Sequence, residues 1–125
     1  MASLTNARKK AMIDYELATG GAHTHIGYSI NGTSETSIVA RTPVSRLGGW
    51  STPTAASTYA PSNVSAGDSD AATGGGTVTH YATFSALTGG TQLCDWIATT
   101  DPDPVLVTGG KLTHAVGAIV PISIT

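Results

Sequence analysis

Residues 74–97 read GGGTVTHYATFSALTGGTQLCDWI. Within the stretch, Val78, His80, Ala82 and Phe84 alternate with Thr77, Thr79, Tyr81 and Thr83. A period of two sends successive side chains to opposite faces of a strand, here one apolar face carrying a histidine and one hydroxyl-bearing face. ALTGGTQ supplies a turn, and residues 93–98 return with Cys94 and Trp96 on one side and Leu93, Asp95 and Ile97 on the other. The stretch predicts a half-buried hairpin with Val78, Phe84 and Trp96 in the core and Tyr81 facing outward.

The same grammar extends in both directions. Towards the C-terminus, TTDPDP turns the chain, since each Asp-Pro favours extended geometry and removes a ladder donor. A final strand pair is then expected from VLVTGGKLTHAV and GAIVPISIT. Towards the N-terminus, AHTHIGYSI and TSETSIVAR flank Asn31-Gly32, the dipeptide that supplies positive φ to a two-residue hairpin loop. In the first of these strands Thr24, Ile26, Tyr28 and Ile30 are expected to face the core, and His23, His25, Gly27 and Ser29 the other side. Residues 42–76 have neither period and read as loop-rich. A structureless loop of that length implies either hidden short strands or a neighbouring subunit against it.

Residues 3–19 form the one helical pattern. Leu4, Ala7, Ala11, Tyr15 and Ala18 follow steps of three and four, Ser3 or Thr5 is placed to cap, and Lys10 can pair with Asp14 one turn on. A helix this short needs its stripe packed against the sheet or another subunit. One domain spanning residues 1–125 is expected, with the helix followed by a β-module over 22–125. The fold class is mainly β, an antiparallel β-sandwich or barrel with one N-terminal α-helix.

Composition narrows the function. Charged residues make up 11% of the chain, less than half the usual share, so much of the surface must be neutral and suited to permanent contact. The net charge of −2 disfavours nucleic acid as a partner, and no apolar run is long enough to cross a membrane. No signal peptide is visible at the start. One cysteine, Cys94, allows no internal disulfide.

Reactive groups are sparse and scattered. His23 and His25 share a strand face, as zinc ligands would, but no third ligand has a completing spacing, so no metal is expected there. His80 and His114 read as hydrogen-bonded interior or interface histidines. Asp68 with Asp70, and Asp101 with Asp103, sit in turns, where Asp is common for backbone reasons. No serine lies in a nucleophile elbow, and the glycine groups punctuate strands instead of cradling phosphate. The chain is expected to be no enzyme and to hold no cofactor.

The C-terminal half nevertheless resembles a known family. Gly76 to His80, Ala86 with Gly89 and Gly90, Trp96, Thr100 with Pro102, Gly109-Gly110 and Ala115 to Ile119 follow one another in an order similar to that of small tailed-bacteriophage proteins of the tail-fibre or minor-tail type. NARKKAMIDYEL resembles that family's opening. This chain departs from the pattern with Cys94 and Asp95 ahead of the tryptophan, and no strand is evident over residues 62–73. The resemblance implies a non-catalytic virion structural protein, assembled in the host cytoplasm, whose partners are copies of itself, as a trimer, and other virion proteins of the tail or the capsid. Trp50, Tyr59 and Tyr81 are expected as aromatic interface anchors. Capsid decoration asks for the same neutral surface. A carbohydrate-binding module would draw on Trp50, Tyr59, Asn63 and Asp68.

Overall fold

In the computed structural model, which describes residues 4–20, 22–99 and 105–125, helix α1 spans Asn6–Tyr15. Thr5 caps it from an extended conformation, its hydroxyl accepting from the Arg8 backbone N–H at 3.3 Å. The last turn, Glu16–Gly20, widens into a π-helix. Ala22 then takes a left-handed φ of 54° and reverses the chain, so that the His23 N–H reaches back to the Leu17 carbonyl at 3.3 Å.

The helix buries a different stripe from the one expected. Lys9, Ile13 and Leu17 face inward, whereas Leu4, Ala7, Ala11, Tyr15 and Ala18 are exposed. At 100° per residue these two sets lie on opposite sides of the helix. The stabilisation gained on burial scales with apolar area, and a stripe with three alanines offers less of it than Ile13 and Leu17. Those two pack on Tyr59, with Trp50, Ile122 and Ile124 around them. Lys9 joins them by donating from Nζ to the Ser57 carbonyl at 2.9 Å.

The main sheet has four antiparallel strands in the order β2 (Thr42–Pro43), β1 (His25–Ser29), β5 (His80–Phe84) and β6 (Ile97–Ala98). β1 and β5 form its centre, paired over five residues from His25↔Phe84 to Ser29↔His80. Two small antiparallel pairs lie outside it. β3 (Gly67–Asp68) joins β8 (Thr113–His114), and β4 (Gly76–Thr77) joins β7 (Val105–Leu106). The fold is therefore β-rich, with antiparallel sheets and one N-terminal helix. The main sheet keeps β2 and β6 as free edges, so it does not close into a barrel.

The hairpin expected around Gly89-Gly90 forms. Both glycines have positive φ, Phe84 bridges Gln92, and β6 returns beside β5. Between the pairings Phe84↔Gln92 and Tyr81↔Ile97 the return strand holds two more residues than β5, a bulge in which Cys94 Sγ accepts the Thr83 N–H at 3.3 Å. The β5 strand is not half-buried, because Tyr81, Ala82, Thr83 and Phe84 are all buried. Trp96 is half-buried, its ring tilted against Phe84 at 6.0 Å between centroids.

The tight two-residue hairpin expected around Asn31-Gly32 does not form, and the chain rejoins β1 as an antiparallel strand only at β2. Only Gly32 has positive φ, and Asn31 Oδ1 instead accepts from Thr33 N, Ser34 N and the Thr33 hydroxyl, closing a local turn. A single ladder-like bond, Thr36 N to Tyr28 O at 2.8 Å, survives from the return strand. Ile38 and Val39 explain the departure. Adjacent residues of a strand face opposite ways, yet Val39 is buried in the core and Ile38 packs against it. The chain bends to seat both, and the Ile38 carbonyl bonds Thr73 N at 2.7 Å.

The last two segments do not pair with each other either. β7 and β8 take partners from residues 67–77, and Ile124 bridges Tyr59. Residues 42–76 thus contain short strands and a 3-10 turn, Val44–Leu47, and supply Val44, Leu47 and Ala72 to the core. The Asp-Pro turn, with Asp101 and Asp103, lies outside the described residues.

Candidate interaction surface

The buried histidines and the cysteine are engaged in contacts within the chain. His23 is buried between two elements, with Nε2 donating to Glu16 Oε1 at 3.1 Å and Nδ1 lying 2.6 Å from Thr83 Oγ1. Thr83 Oγ1 is in turn 3.3 Å from Cys94 Sγ. An acid, an imidazole and a hydroxyl in that order are what nucleophile activation requires. Here the hydroxyl is fully buried under its own sheet, so the chain of contacts ties the π turn to β5 instead of presenting a nucleophile.

A second buried network joins Thr42, Tyr28 and His114. The Tyr28 hydroxyl lies 2.6 Å from both Thr42 Oγ1 and His114 Nε2, and the imidazole stacks on the tyrosine ring at 5.6 Å. His80 is half-buried, its Nδ1 2.8 Å from the Thr79 hydroxyl. His25 contacts Thr24 Oγ1 at 2.8 Å, and burial, followed by the nearby Arg41 charge, holds it below the ordinary histidine range. Among the described residues no three His, Cys, Asp or Glu side chains gather where a metal ion would sit.

The cations are mostly committed as well. Arg41 meets Glu35 through two nitrogens at 2.8 Å each, donates to the carbonyls of Ala86 and Gly89, and stacks 3.8 Å above the Phe84 ring. Arg46 takes Asp70 at 3.0 Å and the Asp68 carbonyl at 3.1 Å, which removes Asp70 from any cation site. Lys10 pairs with Asp14, whose other oxygen accepts from the Tyr59 hydroxyl at 2.7 Å. Burial raises the Asp14 pKa, but the bonds from Lys10 and Tyr59 and the Lys10 charge outweigh it and leave the carboxyl below its ordinary value.

Two of the three expected interface aromatics are therefore interior residues. Tyr59 is 1% exposed beneath the helix and Tyr81 is 4% exposed in the central sheet, its hydroxyl bonded to Val120. Trp50 is half-buried between the two core clusters and donates its indole N–H to the His23 carbonyl at 2.9 Å. Each of these rings is worth more inside, where it covers apolar neighbours in a chain poor in large side chains. Asn63 is spent too, donating to the Ser65 and Ala115 carbonyls and accepting from Ile119 N. A glycan platform built on Tyr59 and Asn63 has no exposed groups to offer.

The outside carries several large apolar side chains. Met12 is 50% exposed and Tyr15 62%, and Leu4, Leu87, Val105, Val107 and Val116 are also exposed. Met12 and Tyr15 border a groove of about 570 Å³ between α1 and the 122–124 segment, walled by Ala11, Ile13, Ile122 and Ile124, with Arg8 and Glu16 at its polar margins. Sequence reading missed this groove because it turned Tyr15 and Ala11 inward. The i, i+4 repeat of Lys9, Ile13 and Leu17 was the available signal. Among the described residues no helix is long and apolar enough to cross a membrane. Comparison of the chain with models of protein families, with curated proteins and with solved structures finds no match.

Proposed function

We propose that the protein is a non-catalytic structural component of a bacteriophage particle, of the tail-fibre or minor-tail type, acting through protein–protein contacts. The observation that carries this reading is the division of the molecule. Its histidines, its cysteine and four of its six lysines and arginines are engaged in internal contacts, while large apolar side chains such as Met12, Tyr15, Val105 and Val107 stand exposed on a weakly charged surface. Exposed apolar groups of this kind mark contact surfaces, and a surface short of charge does little to keep copies apart. The order of motifs from Gly76 to Ile119 supplies the particle.

Within this reading the sheets stack as a small sandwich. Ile26 and Tyr28 of β1 share one core cluster with Leu106 of β7 and with Leu112 beside β8, which supports this arrangement. Quantitative mass spectrometry of purified virions tests the assignment. A few to a few dozen copies per particle is the expected result. Hundreds, in fixed ratio to the major capsid protein, would replace the tail with a shell decoration, and absence from the particle would overturn the virion role.

A further inference from the structure

The outer face of α1 carries a pattern that is complementary to itself. Arg8, Met12 and Glu16 are spaced four residues apart along one side of the helix and continuous with Ala11 and Tyr15. Arg8 and Glu16 stand about 12 Å apart along the axis, with Met12 midway. Among the described residues Arg8 makes no ion pair. Glu16 is fixed in place by His23 through Oε1, and its carboxylate has acceptor positions to spare.

We infer that this face is a two-fold contact between copies of the chain, in which two α1 helices run antiparallel and cross at Met12. A two-fold axis there sets Arg8 of each copy against Glu16 of the other and closes both ion pairs at once. An isologous contact requires this exchange of positions, since residue i meets j and j meets i. A parallel pairing would oppose Arg8 with Arg8 and is disfavoured by like charge. Rows of residues four apart are also the ridges that interdigitate in the commonest helix packing. Met12 and Tyr15 of each copy then enter the groove that Ile122 and Ile124 wall on the other, which covers the most exposed apolar part of the helix.

The test is the solution mass of the full chain by sedimentation velocity over a concentration series. The expected species is a concentration-dependent dimer of twice 12.6 kDa. Met12→Asp and Arg8→Glu should each weaken dimerisation about tenfold or more while leaving the melting temperature of the dilute monomer unchanged, because both side chains are exposed and outside the buried networks. Glu16→Lys should do the same by opposing Arg8 with a cation. An equimolar mixture of the Arg8→Glu and Glu16→Lys chains restores complementary pairs across the axis and should dimerise where neither does alone. Because Glu16→Lys also takes a partner from His23, its melting is measured first. If it does not fold, Met12→Asp and Arg8→Glu carry the decision. A monomer at every concentration, a trimer, a dimer indifferent to Met12→Asp and Arg8→Glu, or a mixture of folded variants that stays monomeric would each overturn the contact. The inference stands apart from the particle assignment: a dimer in solution with no copies in virions would remove the proposed function and leave the helix contact intact.

Discussion

Residues 22–41 and 74–98 carry the same local instructions, an alternating run, a glycine turn and a second alternating run, and only the later segment folds back on itself. In the later one, Gly89 and Gly90 both take positive φ, and the return strand regains β5 after a two-residue bulge. In the earlier one, the turn tightens around Asn31, the chain pairs with β1 only at the two residues of β2, and the five-residue ladder of β1 is made with β5 on its other edge. A turn signal proposes a hairpin, but the return strand pairs at once only if its side chains can keep their alternation while doing so. β5 and β2 lie on opposite edges of β1, so they do not compete; the 33–41 segment has to deliver Ile38 and Val39 to the core side by side, and the chain pairs with β1 again only at Thr42–Pro43.

Ile26 and Ile30 give the largest contrast. Simple alternation assigns both to the core face of one strand, yet Ile26 is 0% exposed and Ile30 is 46% exposed beyond the end of β1. Ile26→Ala should cost about 2–5 kcal/mol and Ile30→Ala less than about 0.5 kcal/mol, read by chemical denaturation. Equal costs would mean that the alternation continues through Ile30 and that the early hairpin forms after all.

The turns themselves provide the next contrast. A Cβ at Gly90 would fall 2.6 Å from Ser85 Oγ and 3.0 Å from Ala86 Cβ, at a φ of 66° that L residues rarely adopt. Gly90→Ala should therefore destabilise the protein by more than about 1 kcal/mol. Asn31→Ala loses hydrogen bonds in an exposed local turn and should cost about 1 kcal/mol or less. Thermal melts that reverse this order would show that the Asn31 turn, and not the Gly89-Gly90 turn, organises the sheet.

The smallest effect is a pH dependence at the end of the shared strand. His25 pairs across β1 with both Pro43 and Phe84, and its imidazole is held below the ordinary value of 6.5 by burial and then by the Arg41 charge. Between the two values the unfolded chain binds the proton and the folded chain does not. Stability is therefore full above pH 6.5 and declines as pH falls through the folded value. Melting temperatures through this range should show the decline in the parent and not in His25→Gln.

Legibility in the sequence tracked the range of the interactions. Thr5 as cap, Lys10 with Asp14, and the Gly89-Gly90 turn all act within a few residues, and each is present as the local pattern predicts. The expected helix stripe was misplaced because three alanines satisfy a period while burying little. The aromatic anchors were misplaced because Tyr59 and Tyr81 look alike in sequence whether they meet another subunit or this chain's own helix and sheet. The α1 groove was hidden for the same reason, since one of its walls comes from Ile122 and Ile124 at the opposite end of the chain.

By itself the sequence determined that this would be a β-rich chain with one leading helix, punctuated by glycine turns and short of charge, because backbone preference and alternation are properties of neighbours. Only the tertiary structure decided that β1 takes its five-residue ladder from β5 while its other edge keeps only the two-residue β2, that the helix turns Ile13 and Leu17 inward, and that Met12 and Tyr15 are left outside. Those outcomes are settled by competition for a limited core. Apolar area and strand edges are allotted to whichever segments cover them best, however far apart they lie along the chain.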